Sequence, residues 1–260
     1  MRFRNRRELA GWALASSPLW LFLDYDGTLK EFAPTPAHVK PDPEIVGLLE
    51  SLARRPETRL TIISGRRLPD VRHLVPLSGI LIAGSYGMEI LTPEGQIIQR
   101  GDFAEFRPTL DALRPRWEKL IQGRQDFYLE DKGWTLALHG RWAGDAEAES
   151  VLSKARNLAT ASSRPGLFQI VNEYKFVEVA PKLANKKAAV TYLLEQYALP
   201  DARLLYIGDD DKDEEAFSVV QAHGGAGVRV LANSERGRTA AADFVLDSPS
   251  ATLQLLRQLL

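Results

Sequence analysis

"LFLDYDGTLKEF", Leu21–Phe32, decides how the rest of the chain is read. Trp20 and Leu21–Leu23 suit a buried strand, and that strand runs straight into two aspartates, a glycine and a threonine. Asp24 and Asp26 stand at i and i+2, so at an extended strand end they point to the same side. Like charges so close repel, and a bound cation or a phosphate site would compensate them. Gly27 permits a sharp turn, after which backbone N–H groups and the Thr28 hydroxyl can face an anion. The arrangement suits phosphoryl transfer. One carboxylate attacks phosphorus, and the other donates a proton to the leaving oxygen and later takes one from water. A hard cation with oxygen ligands, typically Mg²⁺, would relieve the repulsion. The competing reading is an acidic surface turn, and other stretches decide between the two.

The chain has 260 residues, 45% of them hydrophobic and 26% charged, with a net charge of −1. That is enough for one large domain or two modest ones. Neither a basic nor an acidic excess points to a nucleic-acid partner or a solvated tail. With no cysteine there is no disulfide, thiolate metal site or thiol nucleophile, which fits a reducing compartment such as the cytoplasm. The basic start and Ala13-Leu14-Ala15 imitate a signal sequence, but Glu8 and Gly11 interrupt the apolar run. An amphipathic first helix with Leu9, Trp12 and Ala13 on one face fits better, and no segment is apolar enough to span a membrane. A monomer is expected.

Short apolar runs alternate with helical patterns along the first hundred residues. "LWLFLD", "RLTIISG" and "GILIAGSYG" read as strands. "PDPEIVGLLESLARR" reads as a helix with Asp42 as N-cap, Pro43 at the first position, and Ile45, Leu48, Leu49 and Leu52 on one face. "RLPDVRHLV" is a second, shorter helix. Strands separated by helices imply a parallel sheet with right-handed crossovers. From residue 105 to 179 the pattern becomes helix, strand pair, helix, strand pair, an α+β module. The alternation returns with "NKKAAVTYLLEQYA", "RLLYIGD", "DEEAFSVVQAH", "AGVRVL", "DFVLD" and "SATLQLLRQLL". The expected architecture is an α/β, Rossmann-like parallel-sheet core, residues 1–104 and 180–260, with an inserted α+β domain.

Three further stretches favour the catalytic reading. "IISGR" puts Ser64 and Gly65 just past a strand's carboxyl end, where open α/β sheets bind ligands. A hydroxyl and a free N–H there can hold a phosphate oxygen. "YIGDDDKDEE" carries Asp209 after Gly208 and Asp213 four residues on; Asp209 can complete a metal site and Asp213 can orient it or a lysine. An EF-hand loop is excluded, because the sixth position is Glu214 and the twelfth Val220. "PKLANKKAAV" offers Lys182, Lys186 and Lys187 at a helix start, where the dipole disfavours a cation. One lysine facing the aspartates would neutralise them. "GGAGV" near Gly225 precedes a strand rather than following one, so it is not a dinucleotide loop.

In this order "DYDGT", Ser64, Lys186 and "GDDDKD" resemble the haloacid dehalogenase superfamily of phosphatases. The resemblance implies Asp24 as nucleophile and Asp26 as acid/base. It implies a phosphate held by Gly27, Thr28, Ser64, Gly65 and Lys186, and Mg²⁺ held by Asp24, the Asp26 carbonyl and Asp209 with Asp213 behind them. It also makes the insert at 105–179 a C2-type cap.

The insert should read the substrate. In "WTLALHGR", Trp134, Leu136 and Leu138 form an apolar face, and the other face ends in His139 and Arg141, donors for hydroxyls or phosphate. Glu130 and Lys132 share one side of their strand, and Glu178 is flanked by Val177 and Val179. A polyhydroxylated small molecule wants such a mixture. "EDKGWTLALHGR" followed by "VEVAPKLANKK" resembles the trehalose-6-phosphate phosphatase family from Leu19 to Asp247. The resemblance implies that Glu130, Lys132, Arg141 and Glu178 contact glucosyl hydroxyls or clamp the phosphate. Tyr86, Ala180 and Lys187 depart from that family's usual histidine, arginine and glycine. Sucrose 6-phosphate, a glycosyl-3-phosphoglycerate or a hexose phosphate remain alternatives of the same class. A non-catalytic regulatory subunit is the alternative of another class.

Overall fold

The computed structural model describes residues 3–15, 18–33, 39–231 and 241–260. Met1, Arg2, Ser16 and Ser17 of the basic first segment fall outside these. The chain divides into two compact units, one of residues 1–98 and 185–260 and one of residues 99–184. Among the described residues no helix is long and apolar enough to cross a membrane.

In the larger unit, α1 (Arg6–Leu14), β1 (Leu19–Leu23), α2 (Pro43–Ala53), β2 (Thr58–Ile63), α3 (Leu68–Leu74), β3 (Leu81–Gly84), β4 (Glu89–Leu91) and β5 (Ile97–Gln99) come first. After the smaller unit follow α6 (Lys186–Gln196), β10 (Arg203–Gly208), α7 (Asp211–Ala222), β11 (Ala226–Val230), β12 (Phe244–Leu246) and α8 (Pro249–Arg257). Its strands form one sheet in the order β12-β11-β10-β1-β2-β3-β4-β5. The first six are parallel, as the alternation of strands and helices requires. β4 turns back antiparallel on β3, a pairing the sequence reading does not contain.

Alternation along β1 sends its side chains to two cores. Leu21 and Leu23 join Ile62, Ile207 and Val228 under the buried residues of α1, α2 and α8. Trp20 and Phe22 join Tyr206 under Ala189, Val190 and Leu193 of α6 and Phe217 of α7. All five residues of β1 are buried, each worth roughly 1.5–3 kcal/mol of apolar transfer when fully enclosed. The same alternation places Asp24 on the α6/α7 side and Tyr25 among the α1/α2/α8 core. Asp42 caps α2 by accepting from Glu44 N–H, with Pro43 in the first turn, as the sequence requires. "GILIAGSYG" yields only four strand residues. The chain leaves β3 in a 3₁₀ turn, Ser85–Gly87, whose three residues have φ of 50°, 55° and 85°.

The smaller unit comprises α4 (Phe103–Ile121), β6 (Tyr128–Asp131), β7 (Leu136–His139), α5 (Asp145–Ser162), β8 (Phe168–Glu173) and β9 (Phe176–Pro181). Residues 105 and 179, the expected limits of the insert, lie inside α4 and β9. Its antiparallel sheet has the order β6-β7-β9-β8. Leu136 and Leu138 pair with Val179 and Val177, a buried apolar face. Trp134 packs on Phe103 and Phe106, and Trp117 Nε1 donates to the Ala155 carbonyl at 3.0 Å, joining α4 to α5. On the opposite face Glu130, Ala137 and Glu178 stand in one cross-strand row.

Candidate active site

Parallel register brings the carboxyl ends of β1, β2 and β10 together, because Leu23 lies opposite both Ile62 and Ile207. Asp24, one residue on, and Ser64 and Asp209, two residues on, therefore emerge at one edge. Lys186 opens α6 on the face that Asp24 shares. Its Nζ donates to Asp24 Oδ1 at 2.9 Å and to Asp213 Oδ1 at 2.7 Å. Lys186, Asp24 and Asp213 are all buried, whereas Lys182 and Lys187 are exposed. A lysine against a helix N-terminus is thus compensated by carboxylates from two other elements.

Asp213 is fixed on both oxygens. Oδ1 also accepts from the Tyr206 hydroxyl at 2.7 Å, and Oδ2 accepts from the N–H groups of Asp209 and Asp210, each at 3.1 Å. Asp210 returns a bond to the Asp213 N–H, closing a capping box on α7. Gly208 is required here, since a Cβ on it would lie 2.2 Å from Asp213 Cγ. Gly27 is required twice over. Its φ is +79°, and a Cβ would fall 2.2 Å from Asp209 Oδ2. The Thr28 hydroxyl donates to Asp209 Oδ1 at 3.2 Å and so orients that carboxylate. Ser64 is buried, and its Oγ accepts from Arg66 N–H at 3.1 Å.

Asp26 is held by a residue that the sequence reading left without a role. Arg66 Nε donates to Asp26 Oδ2 at 2.6 Å and Arg66 Nη2 to Asp26 Oδ1 at 2.7 Å, a two-pronged charge-assisted pair. Arg66 follows Ser64-Gly65 directly, but a lone loop arginine carries no signal of its partner until the strands are in register.

Carboxylate oxygens of Asp24, Asp209 and Asp213 lie within 4.8 Å of one another. Burial and then the neighbouring Asp24 charge push Asp209 up to about 10. Burial raises Asp24 and Asp213 as well, against the pull of Lys186. Burial disfavours the Lys186 charge, yet Asp210, Asp213 and Asp24 together hold its pKa well above the ordinary value. One ammonium does not balance this many carboxylates, and an oxygen-only donor set with excess negative charge fits a hard divalent cation. Because Asp213 is committed on both oxygens, Asp24 and Asp209 are the carboxylates best able to ligate one.

A second polar cluster lies on the sheet of the smaller unit. Glu178 is fully buried and accepts from Lys132 Nζ at 2.9 Å and from the Thr135 hydroxyl at 2.8 Å. Glu130 pairs with His139 Nε2 at 2.9 Å, and the His139 ring stacks on Tyr128 at 4.2 Å between centroids. Burial pushes Glu130 up, but His139 and Lys132 outweigh it and hold the carboxyl below its usual range. Glu130, Lys132, His139 and Glu178 therefore form one connected group. Arg141 does not join it in the expected way. β7 ends at His139, and Arg141 is exposed in the following turn with its guanidinium 5.7 Å from the Trp142 ring centroid. Asp131, one residue from Glu130, faces the helices and is gripped by Arg107 at 2.6 and 2.7 Å.

A family model described as trehalose-phosphatase matches residues 22–250. An uncharacterized glycosyl hydrolase of Mycobacterium tuberculosis (strain H37Rv) is 32% identical over 248 residues, 92% of this chain, which spans 18% of that protein's length. A probable trehalose-phosphate phosphatase of Sinorhizobium fredii is 31% identical over 226 residues, covering 86% of this chain and 79% of its own. The solved C-terminal domain of the Candida albicans trehalose-6-phosphate phosphatase superposes with a TM-score of 0.84 at 22% identity, over 99% of this chain and 97% of that one. That likeness is one of fold, and the fold is the haloacid dehalogenase type.

Proposed function

The chain belongs to the trehalose-phosphatase family, and from that premise we propose that it hydrolyses trehalose 6-phosphate to trehalose and phosphate. The observation that carries the reading is the meeting of Asp24, Asp209 and Asp213 with Lys186 at one end of the sheet. In the first half-reaction an Asp24 oxygen attacks phosphorus and the bond from phosphorus to the sugar oxygen breaks. Asp26, aimed by Arg66, gives its proton to that oxygen, and the phosphoryl group stays on Asp24. In the second, Asp26 takes a proton from water, the water oxygen attacks phosphorus, and Asp24 is released with inorganic phosphate. Ser64, Lys186 and the backbone N–H groups of Thr28 and Gly65 are the donors for the phosphoryl oxygens; the Gly27 N–H, expected among them, instead donates to the Lys30 carbonyl at 2.7 Å. Mg²⁺, held by Asp24, Asp209 and the Asp26 carbonyl, would supply positive charge to the phosphoryl oxygens and offset the carboxylates.

Glu130, Lys132, His139, Arg141 and Glu178 are proposed to read the disaccharide. Glu130, Lys132, His139 and Glu178, a connected group of charged acceptors and donors on one sheet face, are chemistry suited to sugar hydroxyls, and Arg141 in the turn beyond would add a donor. The test is phosphate release from trehalose 6-phosphate, sucrose 6-phosphate, glucosyl-3-phosphoglycerate and glucose 6-phosphate, with Mg²⁺ and after exhaustive chelation. Preference for trehalose 6-phosphate and dependence on the ion are expected. Preference for another ester overturns the substrate, undiminished rates after chelation overturn the metal, and no release from any ester overturns the enzyme.

A further inference from the structure

Ser85 and Tyr86 are consecutive non-glycine residues in the left-handed region, with φ of 50° and 55°, and both are buried. Such a pair persists only where its surroundings over-determine it. Here those surroundings are the two catalytic loops. Ser85 N–H donates to the Arg66 carbonyl at 2.6 Å and Tyr86 N–H to the Ser64 carbonyl at 2.9 Å. The turn thus binds the backbone of Ser64-Gly65-Arg66 on both sides of the glycine. The Tyr86 ring fills the space over Gly65, where a Cβ would lie 2.6 Å from Tyr86 Cζ. At its far end the ring reaches the acidic loop after β10. Lys212 Nζ donates to the Tyr86 hydroxyl at 3.1 Å and lies 4.7 Å from the ring centroid.

We propose that Tyr86 is a positioning residue. It bridges the Ser64-Gly65-Arg66 loop to the first turn of α7 through Lys212, and so sets the distance between the phosphate-holding hydroxyl and the carboxylates of Asp209 and Asp213. The strained turn delivers the ring to Gly65, and glycine there admits the ring. The hydroxyl then anchors a lysine in the first turn of α7, the turn that carries Asp213 and follows Asp209. This rests on the phosphatase reading only in that Ser64 holds phosphate.

The experiment is a double-mutant cycle of Tyr86→Phe and Lys212→Met, read through the affinity for inorganic phosphate by calorimetry in the presence of Mg²⁺. Turnover of p-nitrophenyl phosphate is followed in parallel. Each single variant should weaken phosphate binding by about ten- to thirtyfold, the lower part of the range a lost hydrogen bond to a charged group spans. The double variant should bind no more weakly than the weaker single one, because both remove one bridge. Unchanged phosphate affinity in both singles, or losses that multiply, overturns the proposal, whatever happens to the melting midpoint. Wild-type protein that binds phosphate but turns over no ester refutes the enzymatic reading and leaves the cycle interpretable. Wild-type protein that binds no phosphate overturns both.

Discussion

Arg66→Met keeps the length and apolar stem of the side chain and removes only the fork that holds Asp26. Two charge-assisted bonds of 2.6 and 2.7 Å are lost. In burial each would be worth about 1.5–3 kcal/mol, but the Asp26 side chain is 24% exposed, so water replaces part of the loss. A net penalty of about 1.5–3 kcal/mol for the pair is a reasonable figure. If it falls on the proton-dependent step, that step slows about ten- to hundredfold. The ceiling is the whole worth of a positioned general acid, about 10²–10⁴. A sugar alkoxide needs the proton and p-nitrophenolate does not. We therefore expect kcat/KM for trehalose 6-phosphate to fall by about ten- to hundredfold and that for p-nitrophenyl phosphate by less than about threefold. Arg66→Met should add little on top of Asp26→Asn, since an unaimed acid and an absent one fail alike. The assay is steady-state kinetics on both esters with each variant at saturating Mg²⁺. Equal losses on the two esters would mean that Arg66 serves the phosphate or the fold, and the positioning argument would fall.

Asp24→Asn should abolish turnover of every ester at nearly unchanged melting midpoint; activity above a few per cent in pure protein would remove the covalent step. Gly27→Ala should lower Mg²⁺ affinity as well as activity, because its Cβ displaces Asp209; titration calorimetry with the ion alone checks it, and wild-type affinity counts against the assignment. Glu178→Gln should loosen Lys132 and Thr135 and cut kcat/KM for the sugar ester about ten- to hundredfold, with p-nitrophenyl phosphate spared; a uniform fall on both would make the cluster a support of the fold. Arg107 lowers the Asp131 pKa from 3.8, so this pair contributes stability above that value and loses it as pH falls through the depressed value. Arg107→Met should cost about 1–2 kcal/mol near neutrality, and the gap to wild type should close on strong acidification. A gap independent of pH would show that packing, not the ion pair, was removed.

The sheet was legible wherever a strand was long enough to show its burial. Leu19–Leu23 and Arg203–Gly208 are central strands with nearly continuous apolar runs, and Thr58–Ile63 between its neighbours is buried over its last four residues. β4 and β5 escaped because each has three residues, too few for any period to emerge. The Ser85–Gly87 turn was taken into a strand because serine and tyrosine give no warning of positive φ. Around the site, Asp24 and Asp209 stand out in the sequence because like charges at strand ends demand company, whereas only the family resemblance separates Lys186 from Lys182 and Lys187. Arg66, Lys212 and Thr135 could not be named in advance, because what assigns each is a partner 126 positions away for Lys212 and 40 and 43 for the others. Arg141 was placed one strand turn too far, as the glycine before it ends β7.

β1 pairs with β2 on one edge and with β10 on the other, Leu19 standing opposite Arg203. A ribosome adding about 5–20 residues per second needs on the order of 10–40 s to travel from one to the other. Throughout that interval "LWLFL" has one open edge of unpaired N–H and C=O groups in an apolar strand, the form most prone to recruit a foreign strand. Vectorial synthesis therefore delivers the strand that leads into Asp24 long before its closing partner. The whole smaller unit, whose contacts are local, has time to fold in between. A truncation anywhere before Arg203 would leave that edge open for good, and such fragments should collect in inclusion bodies to a greater extent than the 260-residue chain.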